Sequence, residues 1–223
     1  MRKWLLASCC LVSTGLFAQN ANFDSTYRPG SYKLRAEQFR AFPNSKKDIV
    51  FLGNSITAGV DWMELLGEPR AKNRGISGDI TYGVLERLDE VTEGQPAKVF
   101  ILIGTNDISR NIPDHIIIEN HRRIVQRIKA ESPRTKIYFQ TILPVNNTFP
   151  AKNHFNKDEH IAAVNDAIRS LAATEGITVI DLHKEFLDSE GRLAKELTYD
   201  GLHLNMAGYL KWAEILKKGK YLK

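Results

Sequence analysis

The chain has 223 residues, of which 43% are hydrophobic and 26% are charged. This composition is typical of one globular domain and excludes a disordered or collagen-like protein. The formal net charge is only +5 and the basic residues are interspersed with acidic ones, so we expect no nucleic-acid partner.

The first 18 residues have the layout of a secretory signal peptide. Two basic residues precede the apolar stretch from Trp4 to Phe17, and the small residue Ala18 follows it. Polar residues interrupt this stretch, and it falls short of the roughly 20 apolar residues that a membrane span needs, so a membrane anchor is the weaker interpretation. We therefore expect an exported protein, periplasmic or extracellular, without stable membrane insertion.

Both cysteines, Cys9 and Cys10, lie within this leader. Cleavage after Ala18 would leave a chain without thiols, which suits an oxidising compartment. An alternative is a lipoprotein signal in which Cys9 becomes the lipidated first residue.

The rest of the chain divides into an arm and one domain. Residues 19–47 carry polar and aromatic residues without a strong period, and they predict an arm that packs on the domain through one short helix near residues 33–41. From residue 48 to residue 223, short β-branched runs alternate with helix-like segments. This alternation predicts a single α/β domain.

The predicted elements define the fold class. The predicted strands are Ile49 to Leu52, Ala71 to Asn73, Val99 to Ile103, Lys136 to Thr141, and Thr178 to Ile180. The predicted helices are Ile80 to Val91, Pro113 to Ala130, His160 to Ala173, and Met206 to Lys217 with Asn205 as its N-cap. Nearly continuous apolar strands that alternate with helices indicate a three-layer α/β/α sandwich around a five-stranded parallel sheet, in flavodoxin-like order.

In such a sheet, ligands bind beyond the carboxyl ends of the strands, so the residues that follow each strand are candidates for function. Ser55 follows the first strand, and Asp200 and His203 precede the last helix. A serine hydroxyl becomes a nucleophile when a histidine accepts its proton and a carboxylate orients that histidine. We predict this triad, although Ser55 alone could cap a helix, Asp200 could fix a turn and His203 could be a partly buried histidine.

An acyl-transfer site also needs donors for the negatively charged oxygen of the tetrahedral intermediate. The backbone N–H groups of Ser55 and Gly75 and the side-chain amide of Asn106 are the predicted donors. The competing interpretations are that Gly75 only permits a tight turn and that Asn106 only stabilises a loop. Asp79, Asp107 and Asn73 are predicted to cap helices or fix loops.

Four sequence blocks carry a resemblance to a known superfamily. They are FLGNSIT, NRGISGD, IGTND and DGLHLN, which occur in this order between about residues 49 and 210. The chain resembles the SGNH (GDSL-like) hydrolases, in particular the platelet-activating-factor acetylhydrolase-like branch and exported bacterial esterases that deacetylate carbohydrates. The resemblance implies Ser55 as nucleophile, Gly75 and Asn106 as oxyanion donors, and Asp200 with His203 as the rest of the triad. Asn54 departs from the aspartate that is frequent in the first block.

No cofactor is expected. The sequence contains no Walker-type phosphate loop and no dinucleotide fingerprint after a strand. The remaining histidines lack metal-ligand spacing, so we predict no metal site and place most of them on the surface or on helix faces. These histidines are His115, His121, His154, His160 and His183.

The expected function is that of an exported serine esterase that removes small acyl groups, most simply O-acetyl groups, from carbohydrates. The partner is then a small acylated substrate such as an acetylated sugar. A phospholipid acyl hydrolase, a thioesterase or an acyltransferase would use the same mechanism, and a carbohydrate-binding module without turnover is the alternative from another class. The loop at residues 143–156 is predicted either to border the acyl-acceptor pocket or to be an ordinary connector.

Overall fold

A computed structural model describes residues 23–223, so the predicted leader with Cys9 and Cys10 lies outside the described residues. The strands are β1 (Ile49–Gly53), β2 (Ala71–Gly75), β3 (Lys98–Leu102), β4 (Lys136–Gln140) and β5 (Thr178–Ile180). The helices are α1 (Tyr32–Ala41), α2 (Ser55–Ala58), α3 (Trp62–Leu66), α4 (Thr81–Glu86), α5 (Asp89–Thr92), α6 (Thr105–Ser109), α7 (Asp114–Glu131), α8 (Asp158–Glu175), α9 (Leu182–Glu185) and α10 (Met206–Lys218).

The five strands form one parallel sheet in the order β2-β1-β3-β4-β5. This is the flavodoxin-like order, and it confirms the predicted fold class. The chain leaves β1 on one side to form β2 and returns to the other side to form β3. The point at which the strand order reverses therefore lies between the carboxyl ends of β1 and β3, which precede Ser55 and Asn106.

Alternate strand residues point to opposite layers of helices, as the pleat of a sheet requires. On one side the strands contribute Val50, Leu52, Val99, Ile101, Ile137 and Phe139 to a core with α4, α5, α7 and α8. On the other side they contribute Ile49, Phe51, Phe100, Leu102, Tyr138 and Ile180 to a core with α2, α3 and α10. Both faces of the sheet are thus covered, which explains why the central strands β1 and β3 are buried along their whole length.

A row of aromatic rings fixes β1, the strand that precedes Ser55. The Phe51 ring stacks on Trp62 with 3.9 Å between centroids and on Phe100 with 4.9 Å, and Phe100 stacks on Tyr138. Trp62 in turn meets Trp212 of α10 edge to face. Because such pairs add stability beyond the area that they bury, this row holds β1 firmly between the neighbouring strand and the last helix.

The predicted helix over residues 80–91 is in fact two helices, α4 and α5, with a break at Arg87 and Leu88. Arg87 is fully buried, and its guanidinium donates to two carbonyl oxygens and pairs with two carboxylates. The prediction of one continuous helix was wrong, because apolar periodicity does not show that the Arg87 side chain must turn inward to reach these partners.

The described part of the arm, residues 23–47, packs on the α4 and α5 layer. Tyr32 and Phe39 of α1 are buried, and the Tyr32 hydroxyl donates to the carbonyl oxygen of Gly83 at 2.8 Å. Arg40 forms an ion pair with Asp89. Among residues 23–223, no helix combines the length and the apolar character needed to cross a bilayer.

Candidate active site

Ser55 lies at the first position of α2, directly beyond β1. The N-cap of this helix is Asn54, whose Oδ1 accepts a hydrogen bond from the Ile56 N–H at 3.0 Å. An amide oxygen serves this purpose as well as a carboxylate, so the departure at Asn54 preserves the turn. Because Asn54 caps the helix, the Ser55 hydroxyl is not needed for capping. Tyr209 of α10 donates to the Ile56 carbonyl oxygen at 2.9 Å and supports the same turn.

The structure brings the three predicted triad residues together. Ser55 Oγ lies 3.0 Å from His203 Nε2, although 148 positions separate the two residues in the chain. His203 Nδ1 lies 2.8 Å from Asp200 Oδ2. The second carboxylate oxygen, Oδ1, accepts the backbone N–H groups of Leu202 and His203 at 3.0 and 2.7 Å. Asp200 is therefore held by its own turn while its other oxygen faces the imidazole.

This turn depends on two further residues. Thr198 Oγ1 donates to the His203 carbonyl oxygen at 2.6 Å and accepts the Gly201 N–H at 2.9 Å. Gly201 has a φ of +80°, and a Cβ there would lie 2.4 Å from the Asn146 carbonyl oxygen. A glycine is thus required both for the left-handed backbone and for the close approach of the neighbouring loop.

The electrostatics of Asp200 favour the carboxylate. Partial burial raises its pKa, but the hydrogen bonds from the His203 ring, from the backbone N–H groups and the charge of His203 outweigh this effect and lower the pKa to about 2. Lys152 Nζ also lies 3.3 Å from Asp200 Oδ2. Asp200 is consequently ionised throughout the physiological pH range, so its carboxylate can accept a hydrogen bond from the His203 ring N–H.

Asn106 lies near the start of α6, beyond β3, with its side chain largely buried. Its Nδ2 donates to the Asp79 carbonyl oxygen at 2.9 Å, and its Oδ1 lies 3.0 Å from His154 Nε2. An amide nitrogen carries two N–H groups, so one remains for a ligand. Asn106 lines the same cleft as His203, which fits the predicted donor role.

The structure contradicts the prediction that Gly75 supplies an oxyanion donor. The Gly75 N–H donates to Asn73 Oδ1 at 2.8 Å, and a Cβ at Gly75 would lie 2.3 Å from the Ala58 nitrogen. Gly75 therefore serves the close packing of β2 against α2. Asn73 also donates to the Val60 carbonyl oxygen at 2.9 Å, so it fixes this region as predicted.

Gly78 is the better candidate for the second backbone donor. It lines the cleft together with Asn106 and His203, and its φ of +79° is a conformation that favours glycine. Within residues 23–223, no protein group accepts the Gly78 N–H. The second glycine of NRGISGD was the available signal, because a glycine before an aspartate in a polar loop often has a positive φ.

A set of buried charges lies beside the site, and we call Arg74, Asp79, Arg87 and Glu90 the buried ion cluster. Arg87 contacts Asp79 at 3.0 Å and Glu90 at 2.8 Å, and Arg74 contacts Glu90 at 2.9 Å. The Arg87 guanidinium also donates to the carbonyl oxygens of Gly53 and Arg74. Arg87 thus connects three parts of the site: the end of β1, two residues before Ser55; strand β2; and Asp79, whose carbonyl oxygen accepts a hydrogen bond from Asn106.

Asp107, the neighbour of Asn106, has the loop-fixing role that the sequence predicts. Its carboxylate accepts the backbone N–H and the hydroxyl of Thr81 at the start of α4. Complete burial raises its pKa to about 7, against the effect of these Thr81 hydrogen bonds.

The cleft outside His203 has a volume of about 720 Å³. Its walls come from the arm, from α6, from the loop before α8 and from the turn before α10, and they comprise Phe23, Asp24, Tyr27, Gly78, Asn106, Ser109, Arg110, Lys152, Asn153, His154, Leu202 and His203. The loop at residues 143–156 therefore does border the cleft, through its segment 152–154.

A sequence profile of the GDSL-like lipase/acylhydrolase family matches residues 51–211. The chain belongs to this family. Its relatives include the platelet-activating factor acetylhydrolase IB subunit alpha2 of Rattus norvegicus and of Homo sapiens, each 29% identical over 178 residues that cover 75% of this chain and 73% of the relative.

Solved structures resemble this acylhydrolase closely. One, from Streptococcus pneumonia and named for platelet activating factor, has a TM-score of 0.80 at 32% identity and covers 86% of this chain and 93% of its own. Another, the acetyl xylan esterase AlAXEase, shares the fold with a TM-score of 0.65 at 24% identity and covers 77% of this chain and 98% of its own.

Most of the remaining histidines were expected on the surface or on helix faces, and two of them make contacts inside the fold. His121 lies on α7 but is fully buried, and its Nε2 lies 3.1 Å from the Ile103 carbonyl oxygen. His154 lies in the cleft, although the loop around it lacks any periodic pattern. The asparagine-rich composition of that loop indicated polar contacts, but it did not indicate which residues they would involve. Within the described residues, no group of three or more histidine, cysteine and acidic side chains could hold a metal ion.

Proposed function

We propose that this acylhydrolase is an exported serine esterase that removes small acyl groups, most simply O-acetyl groups, from carbohydrates. The observation that carries the proposal is the continuous path from Ser55 Oγ through His203 to Asp200, with distances of 3.0 and 2.8 Å. Hydroxyl, imidazole and carboxylate in this order form the arrangement that activates a serine for attack on an ester.

The reaction follows from these positions. Ser55 Oγ attacks the ester carbonyl carbon while His203 Nε2 takes the hydroxyl proton, and Asp200 stabilises the imidazolium that results. His203 then gives this proton to the leaving alcohol oxygen as the bond between that oxygen and the carbonyl carbon breaks. The acyl group remains on Ser55 until a water, which loses a proton to His203, attacks its carbonyl carbon. His203 then returns this proton to Ser55 Oγ as the bond between Oγ and the acyl carbon breaks, which releases the acid.

The charge on the intermediate oxygen requires donors that are already in place. We assign them to the N–H groups of Ser55 and Gly78 and to the free N–H of Asn106. Loss of one such donor typically costs about 3 to 4 kcal/mol in the barrier. One N–H of Asn106 is available for this purpose, because only its other N–H donates to the Asp79 carbonyl oxygen.

The surroundings of the site support a short acyl group and a polyhydroxylated alcohol. Ile56, Thr105 and Leu202, the chain neighbours of Ser55, Asn106 and His203, are buried and close the inner side of the site to solvent. The outer cleft combines the aromatic rings of Phe23 and Tyr27 with many hydrogen-bonding groups. Such a lining suits a sugar ring better than a long hydrocarbon chain. The acetyl xylan esterase with the same fold supports this choice.

A phospholipid acetyl ester is the second candidate, and the acetylhydrolase relatives favour it. Its leaving group would also occupy the outer cleft. Arg110 stacks on the Tyr27 ring there and could face a phosphate. The two candidates differ in the alcohol and not in the acyl group, so one substrate panel separates them.

The test compares the wild-type protein with Ser55→Ala on nitrophenyl acetate, acetylated xylo-oligosaccharides and an acetylated phospholipid. We expect Ser55→Ala to lower kcat by at least about 10⁴-fold on every substrate that the wild type hydrolyses. We expect the highest kcat/KM for the acetylated sugar. Equal rates in both proteins would remove the serine mechanism, and binding of sugar without turnover would favour the binding module. A transferred acetyl group on an added sugar would identify an acyltransferase.

Export is tested separately by determining the N-terminus of the protein recovered from periplasm and medium. A chain that begins near Gln19 supports signal-peptide cleavage after Ala18. A lipidated Cys9 supports the lipoprotein alternative, and an intact Met1 in the cytoplasm would contradict export.

A further inference from the structure

His154 has a contact that the proposed mechanism does not use. It lies in the loop between β4 and α8, 48 positions from Asn106, yet its Nε2 is 3.0 Å from Asn106 Oδ1. On the other side of the same amide, Nδ2 donates to the Asp79 carbonyl oxygen at 2.9 Å. The amide of Asn106 is therefore gripped at both ends by residues from different parts of the chain.

The roles of the two atoms in this contact follow from the network. Because Asn106 Nδ2 faces a carbonyl oxygen, the other end of the amide is the oxygen, which can only accept a hydrogen bond. His154 Nε2 must then carry the proton and donate it. Burial, the charge of His203 and the charge of Lys152 lower the pKa of His154 to about 4, so the ring is neutral at neutral pH.

A second contact fixes the segment 152–154 itself. Lys152 Nζ lies 3.3 Å from Asp200 Oδ2, the same oxygen that faces His203 Nδ1. Two residues of one short segment thus reach the triad carboxylate and the oxyanion amide. His154 is also half-buried in this position, which limits the freedom of its ring to rotate away.

We propose that His154 is a positioning residue, which holds the Asn106 amide so that its free N–H points at the developing oxyanion. The inference rests on the proposed function, because it concerns the same reaction. An amide that is held on one side only can rotate and spend part of the time with its N–H misdirected. Catalysis depends on donors that do not have to reorganise at the moment of reaction. His154 acts through Asn106 and does not touch the reacting atoms.

The test is a double-mutant cycle between His154→Phe and Asn106→Ala, with kcat and KM measured on nitrophenyl acetate. Phenylalanine keeps a flat ring of similar size but lacks the N–H. In the wild-type background we expect His154→Phe to lower kcat about tenfold and to change KM less than twofold, since an ordinary hydrogen bond contributes to about this extent. In the Asn106→Ala background the same substitution should change kcat less than twofold, because the group that it positions is gone.

Two further variants separate positioning from folding. His154→Gln retains an N–H donor and should recover at least half of the wild-type kcat. His115→Phe places the same substitution on the exposed side of α7 and should leave kcat unchanged. All variants are compared by thermal unfolding, so a loss of folded protein is measured and not mistaken for a loss of positioning.

Several outcomes would overturn the inference. They are a wild-type kcat in His154→Phe, an equal loss of kcat in both backgrounds, an effect confined to KM, or equal losses in the glutamine and phenylalanine variants. Ser55→Ala is measured in parallel. If that variant keeps the wild-type rate, the proposed function fails; if it is inactive while His154→Phe is unaffected, only the positioning role fails.

Discussion

Two groups of charged and polar side chains lie side by side in this acylhydrolase, and they differ in how completely their hydrogen bonds are used. In the buried ion cluster, Arg87, Asp79 and Glu90 are fully buried, and the Arg87 guanidinium has a partner on every side. In the candidate triad, Asp200 and His203 keep roughly a quarter of their side-chain surface exposed. The Ser55 hydroxyl faces His203.

The difference separates residues that build the site from residues that react. Removing one partner from a buried, saturated network leaves a charge without compensation, and the folded state loses stability. We call the candidate triad the open group. Removing one of its side chains leaves the others in contact with solvent, so the protein should still fold while the reaction is lost. The buried ion cluster and the candidate triad both come from polar sequence motifs. They differ in how deeply they are buried and in how many of their hydrogen-bonding atoms have partners.

Asp200→Asn should have the largest effect, and it should lower the rate much more than the stability. Asparagine can keep the two backbone hydrogen bonds to Oδ1, but it places an N–H₂ group against His203 Nδ1 and selects the wrong tautomer. We expect kcat to fall about 10⁴-fold. The free energy of unfolding near neutral pH should fall by no more than about 2 kcal/mol, because the lowered pKa of the Asp200 carboxylate is itself a contribution to the stability of the folded state. Steady-state kinetics and denaturant unfolding measure the two quantities.

Asp188→Asn is the matched control for this change. Asp188 also accepts two backbone N–H groups within its own turn, those of Glu190 and Arg192, and it is about as exposed as Asp200, but it does not line the cleft. Its kcat should equal that of the wild type. A loss of stability in Asp200→Asn as large as its loss of activity would show that the open group also holds the fold, and the comparison would break.

Arg87→Met should show the reverse pattern. Methionine fills much of the volume but leaves Asp79 and Glu90 buried without their shared partner. We expect the free energy of unfolding to fall by about 3 to 5 kcal/mol. At a temperature where the variant remains folded, kcat should fall less than tenfold. Urea unfolding and kinetics at low temperature test both statements.

Arg122→Met provides the control, because Arg122 pairs with Glu119 on the exposed face of α7. A surface ion pair of this kind contributes about 0 to 1 kcal/mol. If Arg87→Met were no more costly than Arg122→Met, burial and saturation would not be what distinguishes the two groups.

The residues of the candidate triad could be predicted from the sequence far better than the residues that hold the site in place. Ser55 was identifiable because it follows the first strand, and Asp200 with His203 because a reactive serine needs an imidazole and a carboxylate. Asn106 was identifiable, like Ser55, from its place beyond a strand. Their neighbours were not identifiable, because a hydrogen bond such as that from His154 to Asn106 depends on where an aperiodic loop passes in space. No local pattern encodes that path.

The error at Gly75 has a related cause. Two glycines stand in NRGISGD, and spacing alone does not tell which backbone N–H is free. Asn73 Oδ1 takes the N–H of Gly75, while Gly78 has the positive φ and faces the cleft. The helix break at Arg87 was not predicted because an arginine in an apolar helix pattern is normally exposed, whereas Arg87 is buried. The division into arm and domain, and export itself, stay predictions.

His121 provides the smallest and most specific test, because it is buried like the ion cluster but incompletely bonded. Its Nδ1 has no hydrogen-bond partner within residues 23–223. Burial lowers its pKa to about 4, against the hydrogen bond to Ile103, whereas an unfolded chain has the ordinary value near 6.5. Between pH 6.5 and 4 only the unfolded state binds this proton, so the free energy of unfolding should fall as the pH drops. His121→Gln should flatten this dependence by up to one proton, about 1.4 kcal/mol per pH unit, and exposed His115→Gln should not. Identical slopes in all three proteins would mean that His121 takes up its proton without unfolding.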